Sequence, residues 1–126
     1  MAEGRVLVGS QDGILHFLDA LTGIKIGRFR TEGPVFSSPA IDGRTVYFGS
    51  GDGGFYAIDF WDISVRWVFR TENEILSSPV VSGDYVYFTS EDLHVYKVDR
   101  HTREQAWFRI CGDLRDCTPI APSAGL

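Results

Sequence analysis

Apolar residues come in short runs with no helical spacing. In "TVYFGS" (45–50) and "FYAID" (55–59) they occupy consecutive positions, and β-branched and aromatic types dominate. Such runs predict strands. The lack of strict alternation predicts strands covered on both faces. Asp52-Gly53 between them is a hairpin signal, because Gly reaches φ > 0 freely. "VRWVFRT" (65–71) reads as a third strand and "ILSSPVV" (75–81) as a fourth, with turn chemistry at Ser82-Gly83. No segment places apolar residues at i, i+3, i+4 and i+7, so helices are not expected.

This unit recurs every 40 residues without a gap: "RVLVGSQDGILHFLD" (5–19), "TVYFGSGDGGFYAID" (45–59) and "YVYFTSEDLHVYKVD" (85–99). Ser10, Ser50 and Ser90 coincide, as do Asp12, Asp52 and Asp92, and Pro39, Pro79 and Pro119. A fixed period of this length marks stacked supersecondary units. Four antiparallel strands per unit are the blade of a β-propeller, and face-to-face stacking explains the doubly apolar strands. Proline cannot donate to a strand ladder, so the "SSP" segments (37–39, 77–79), and "CTP" (117–119) after them, belong to the inner edge beside the channel. The fold class is therefore all-β. Residues 1–126 form one propeller segment of three units, about 5–44, 45–84 and 85–121. A β-sandwich would make the gapless repeat a coincidence.

Composition narrows the function classes. Hydrophobic residues make up 44% of the 126, enough for a packed core. The net charge of −5 lacks the basic stripe that nucleic acid requires. No apolar run approaches the ~18 residues of a membrane span. The start, "MAEGRVLVGS", has no charged leader followed by an apolar stretch. The expected compartment is thus the cytoplasm as written, or an extracytoplasmic one if the chain is an excised piece. Cys111 and Cys117 read as two ordinary thiols or, in an oxidising compartment, as a disulfide; their spacing is not that of a zinc site.

At "YAIDFWDISVRWVFRT" the chain resembles the PQQ-like repeat family. These are the blades of quinoprotein dehydrogenases and of the lipoprotein that assists outer-membrane protein assembly. The family motif runs A-x-D-x-x-T-G-x-x-x-W after a "vyvGs-xDG-x-lyAlD" hairpin. The second unit keeps Ala57, Asp59 and Trp67, with Asp62-Ile63 in place of Thr-Gly. The first keeps Asp19, Thr22 and Gly23 but has Gly27 at the Trp position; the third keeps Asp99, Thr102 and Trp107, with Arg103 in place of Gly. The resemblance covers residues 5–121. It implies that Trp67 and Trp107 dock on the neighbouring blade. Asp19, Asp59 and Asp99 read as turn formers that accept backbone N–H groups.

Catalytic machinery is not evident. No G-x-S-x-G elbow is present, and His16, His94 and His101 stand at unrelated repeat positions. The paired serines Ser37-Ser38 and Ser77-Ser78 read as small residues crowding the axis. The resemblance names a quinone, but no cofactor is expected; PQQ with calcium belongs to the alternative of a quinoprotein dehydrogenase fragment. The favoured function is a non-enzymatic module for binding a protein or ligand, a scaffold or sensor. The resemblance also implies the sensor part of a receptor kinase as a third reading. Phe60 and Trp61 in "DFWDIS" are candidate surface anchors; packing of Trp61 on the next blade is the competing reading.

Two further expectations follow. Leu93 stands where Gly13 and Gly53 stand, so a different turn is expected there. Three blades cannot close a ring. Residues 5–30 supply three strands, 35–70 and 75–110 four each, and 117–121 one more. Two chains would complete one another as a six-bladed homodimer with two-fold symmetry, strand 117–121 of each completing the first blade of the other; the competing reading is an excised part of a longer propeller, or a gene remnant.

Overall fold

The computed structural model describes residues 4–102 and the strand Gln105–Ile110. Every regular element among them is a strand. In chain order these are β1 (Arg5–Gly9), β2 (Ile14–Asp19), β3 (Lys25–Arg30), β4 (Ala40–Asp42), β5 (Thr45–Gly49), β6 (Gly54–Asp59), β7 (Val65–Arg70), β8 (Val80–Ser82), β9 (Tyr85–Ser90), β10 (His94–Asp99) and β11 (Gln105–Ile110). They form three antiparallel sheets in the orders β1-β2-β3, β4-β5-β6-β7 and β8-β9-β10-β11. These are three blades of a propeller, the first lacking an inner strand among the described residues.

Two hydrophobic layers hold the stack. Leu15, Phe17 and Val35 meet Val46, Phe48, Tyr56 and Ile58 between blades 1 and 2. Tyr47, Phe55, Ala57 and Trp67 meet Val86, Phe88, Tyr96 and Val98 between blades 2 and 3. The middle blade is buried on both faces, which is why β6 is apolar without alternation. The repeat extends to irregularities: the register slips between Phe17 and Leu18, Ala57 and Ile58, and Lys97 and Val98. A bulge at a fixed place in each blade re-aims the strand beyond it.

The hairpins β1–β2, β5–β6 and β9–β10 share one geometry, and this corrects the expectation at Leu93. The N–H groups of Gly13, Gly53 and Leu93 donate to Ser10, Ser50 and Ser90 carbonyls at 3.2, 3.1 and 3.1 Å. Their φ angles are 89°, 84° and 68°. The rest of the turn forces the leucine into the left-handed region. Asp92 Oδ1 accepts from His94 N–H as Asp52 Oδ1 does from Gly54, and Ser90 Oγ accepts from Asp92 N–H. Several such bonds, about 0.5–1.5 kcal/mol each, outweigh a strain of about 1–2 kcal/mol.

The inner strands are shorter than the sequence suggests. β4 and β8 start directly after Pro39 and Pro79, and the turns that follow are Gly43-Arg44 and Gly83-Asp84. The serines before the prolines extend the ladder by side chain. Ser37 Oγ accepts from Gly49 N–H at 3.1 Å and donates to the same residue's carbonyl at 3.2 Å. Ser77 engages Thr89 in the same way. Ser38 N–H donates to Ser78 Oγ at 2.9 Å, joining the inner edges of adjacent blades. Cys111, Cys117, Pro119 and the strand expected at 117–121 lie outside the described residues.

Candidate binding rim

Three equivalent turns, one per blade, follow β2, β6 and β10. Each is built on one aspartate. Asp19 Oδ1 accepts from Leu21 and Thr22 N–H, Asp59 Oδ1 from Trp61 and Asp62, and Asp99 Oδ1 from His101 and Thr102, all within 2.8–3.0 Å. Asp59 also receives Arg44 Nε at 2.6 Å and Arg66 Nη2 at 2.7 Å. Burial opposes its charge, but the Asp62 N–H, the Arg44 guanidinium and the Trp61 N–H outweigh it. They hold its carboxyl well below the usual carboxylate range. The backbone N–H groups of Thr22 and Leu21, and of Thr102 and His101, likewise lower the Asp19 and Asp99 carboxyls.

Because the turns are equivalent, their tips lie on one rim. Leu21 is 96% exposed there and Trp61 44%, with Ile24 and Val65 also exposed beside them. Phe60 corrects the expectation of a surface anchor: it is 1% exposed. It packs against blade 1, its ring edge-on to Phe17 at 6.5 Å. The alternation of faces along β6 sends Phe60 inward and leaves Trp61 at the tip. Arg5, unremarked in the sequence, reaches across from blade 1. Its Nη1 donates to the Phe60 carbonyl at 2.9 Å, and its guanidinium lies 4.7 Å from the Trp61 ring.

At the next interface the counterpart of Arg5 is Thr45, a shorter side chain. A cleft of ≈ 390 Å³ lies there, lined by Thr45, Tyr47, Arg66, Trp67, Arg100 and His101. Trp67 is buried, and its Nε1 donates to the Arg100 carbonyl of blade 3 at 2.9 Å. Arg100 Nε donates to Tyr47 Oη at 3.1 Å, and its guanidinium pairs with Asp42. Column-by-column comparison of the repeats would have pointed to both arginines. Arg5, Thr45 and Tyr85 share one column, and Ala20, Phe60 and Arg100 another. Trp107 pairs with Lys97 in the register of Trp67 with Ala57; its side chain lies outside the described residues.

The histidines stay apart. His94 Nδ1 lies 3.1 Å from Asp92 and His101 Nε2 3.5 Å from Asp84. Among the described residues no three His, Cys, Asp or Glu side chains converge to hold a metal. No helix among the described residues is long and apolar enough to cross a membrane.

No curated protein matches the chain. Among solved structures it is similar to BamB from Moraxella catarrhalis, with TM-score 0.77 and 24% identity over 86% of this chain and 38% of that one. It is also similar to the computationally designed Ika8 protein, with TM-score 0.78 and 17% identity over 86% of this chain and 34% of the other. Sqt1 of Saccharomyces cerevisiae gives TM-score 0.73 and 17% identity over 85% and 31%. The chain thus spans between 31% and 38% of the length of these solved chains. At such identities the likeness concerns the fold. The family model described as outer membrane protein assembly factor BamB matches residues 11–112. The chain belongs to this family of PQQ-like repeat β-propellers.

Proposed function

We propose that the chain is a protein-binding propeller module and that the rim of turn tips receives the partner. The observation that carries this is the placing of large apolar side chains, Leu21 and Trp61, at equivalent tips of adjacent blades, exposed and flanked by Ile24 and Val65. Tryptophan and arginine are enriched among the residues that carry binding energy at protein interfaces. Trp61 is held by Arg5, so little conformational freedom is left to lose on binding. The family supports the reading through the name of its assembly factor.

The test is selection of peptides that bind the purified chain, followed by calorimetry with Leu21→Ser and Trp61→Ala. Each substitution is expected to weaken the selected peptides by about tenfold or more. Leu21→Ser should leave the thermal midpoint nearly unchanged, because Leu21 is exposed, while Trp61→Ala should lower it by no more than the loss of its contacts with Arg5 and Phe60. Unchanged affinities would overturn the rim assignment. Saturable binding of PQQ with calcium, coupled to reduction of an artificial acceptor, would overturn the module reading in favour of an oxidoreductase.

A further inference from the structure

The cleft beside Trp67 has cationic walls. Arg66, Arg100 and His101 line it, and among the described residues no carboxylate does. The fold does not call for this charge. One unit earlier, at the joint of blades 1 and 2, the columns of Arg66, Arg100 and His101 hold Ile26, Phe60 and Trp61. Blade packing is met there by apolar groups, with Phe60 in the buried layer.

The two guanidinium groups are held in place with donors to spare. Arg100 Nε donates to Tyr47 Oη at 3.1 Å and Nη1 to the Gly83 carbonyl at 3.0 Å, and Nη1 also pairs with Asp42. Arg66 Nη2 donates to Asp59 at 2.7 Å. Arg66 Nε and Nη1, and Arg100 Nη2, have no hydrogen-bond partner among the described residues. Asp59 cannot answer them all: its Oδ2 also takes Arg44 Nε, and its Oδ1 takes two backbone N–H groups. A guanidinium presents a planar fork of donors, which the two oxygens of a carboxylate match. The same Asp59 joins the cleft to the rim. Its Oδ1 accepts from Trp61 N–H at 2.8 Å and its Oδ2 from Arg66. The exposed apolar tip and the cationic cleft are therefore neighbours.

We propose that the cleft takes a carboxylate of the partner: an aspartate or glutamate side chain in a segment whose apolar residues rest on Leu21 and Trp61. The inference rests on the rim being the partner's face, and it adds the partner's chemistry. Arg66 of blade 2 and Arg100 of blade 3 grip the carboxylate from two sides, so binding also bridges the joint. Little order has to be gained at Arg100, which Tyr47, Gly83 and Asp42 already hold. The net charge of −5 does not oppose this. At physiological salt, exposed charges beyond about 8 Å are largely screened. The near carboxylates Asp42 and Asp59 are already paired with arginines.

Nuclear magnetic resonance of the nitrogen-15-labelled chain tests this, with the Trp67 indole N–H and the Arg66 and Arg100 Nε–H groups as reporters. The probes are the peptides Leu-Glu-Leu-Glu-Leu and Leu-Gln-Leu-Gln-Leu, both acetylated and amidated, and sodium glutarate. The glutamate peptide is expected to shift these signals saturably and to bind about tenfold or more tighter than the glutamine peptide. Added salt should shrink that preference. Arg66→Gln should reduce it to about twofold or less. Arg44 still pairs with Asp59 in this variant, so the fold is kept. Arg100→Gln should act alike, and should it fail to fold, Arg66→Gln decides alone. Leu21→Ser should weaken both peptides equally. No shift at millimolar peptide, equal affinities, or a preference that survives Arg66→Gln would overturn the cleft, and the rim would still stand or fall on Leu21 and Trp61. A preference that vanishes with Arg66→Gln, while Leu21→Ser and Trp61→Ala change nothing, would support the cleft and overturn the apolar anchors. Glutarate binding as tightly as the glutamate peptide would overturn the peptide occupant in favour of a small dicarboxylate.

Discussion

The indole of Trp67 in the second blade donates to the carbonyl of Arg100 in the third, at 2.9 Å. One side chain thus both fills the interblade layer and satisfies a backbone group of the next blade. Trp67→Ala should destabilise the fold by about 3–5 kcal/mol, since it removes a large buried aromatic and leaves a cavity. Ser77→Ala should cost about 1 kcal/mol: its hydroxyl bonds to Thr89 are real but few. Chemical denaturation of the two variants checks the order, and equal midpoints would contradict it.

Among the described residues two non-glycines hold positive φ, Ile63 at 61° and Leu93 at 68°. Replacement by glycine relieves strain at both, yet opposite outcomes are expected. Leu93 is exposed at the hairpin tip, so Leu93→Gly should stabilise by about 0.5–1 kcal/mol. Ile63 packs into the blade 1–2 layer over Gly27. Ile63→Gly should destabilise by about 1–3 kcal/mol, because lost packing exceeds relieved strain. Thermal midpoints of the two variants should move in opposite directions.

The blade count, the strand order and the aspartate turns were legible because the 40-residue period writes them three times. Leu93 was misread because a local preference was weighed without the bonds from Ser90 and Asp92 that define the turn. Phe60 was misread because two adjacent aromatics look alike in sequence, while the strand's alternation sends one inward and leaves the other at the tip. The cleft beside Trp67 was missed because it comes from a short residue, Thr45, in a column where blade 1 has Arg5. A void has no residue of its own to announce it.

Asp59 makes stability depend on acid. Its folded-state pKa lies below the unfolded value, so its stabilisation is complete above about pH 5. It is lost as pH falls through the ordinary carboxylate value toward the folded one. Asp52 and Asp92 are lowered in the same direction. The thermal midpoint should therefore drop steeply below about pH 4. In Asp59→Asn the drop should be shallower, though not absent, with a lower midpoint at neutral pH. An amide oxygen still accepts from Trp61 and Asp62 N–H, but no longer pairs as a charge with Arg44 and Arg66. A parallel pair of pH curves would show that Asp59 carries none of the dependence.

The match between Gly27 and the Phe60–Ile63 pair can be tested as a swap. Gly27→Trp alone puts an indole where Ile63 Cδ1 already lies, and should cost about 1–3 kcal/mol by overpacking. Phe60→Ala with Ile63→Gly empties that space and should cost about 3–5 kcal/mol. The triple variant carries Trp opposite Ala and Gly across this joint. It should be more stable than the sum of its parts by more than about 1 kcal/mol, since each change fills or clears space for the other. Denaturant midpoints of the four proteins give this coupling directly. Strict additivity would mean that the sizes are unrelated across the joint between blades 1 and 2.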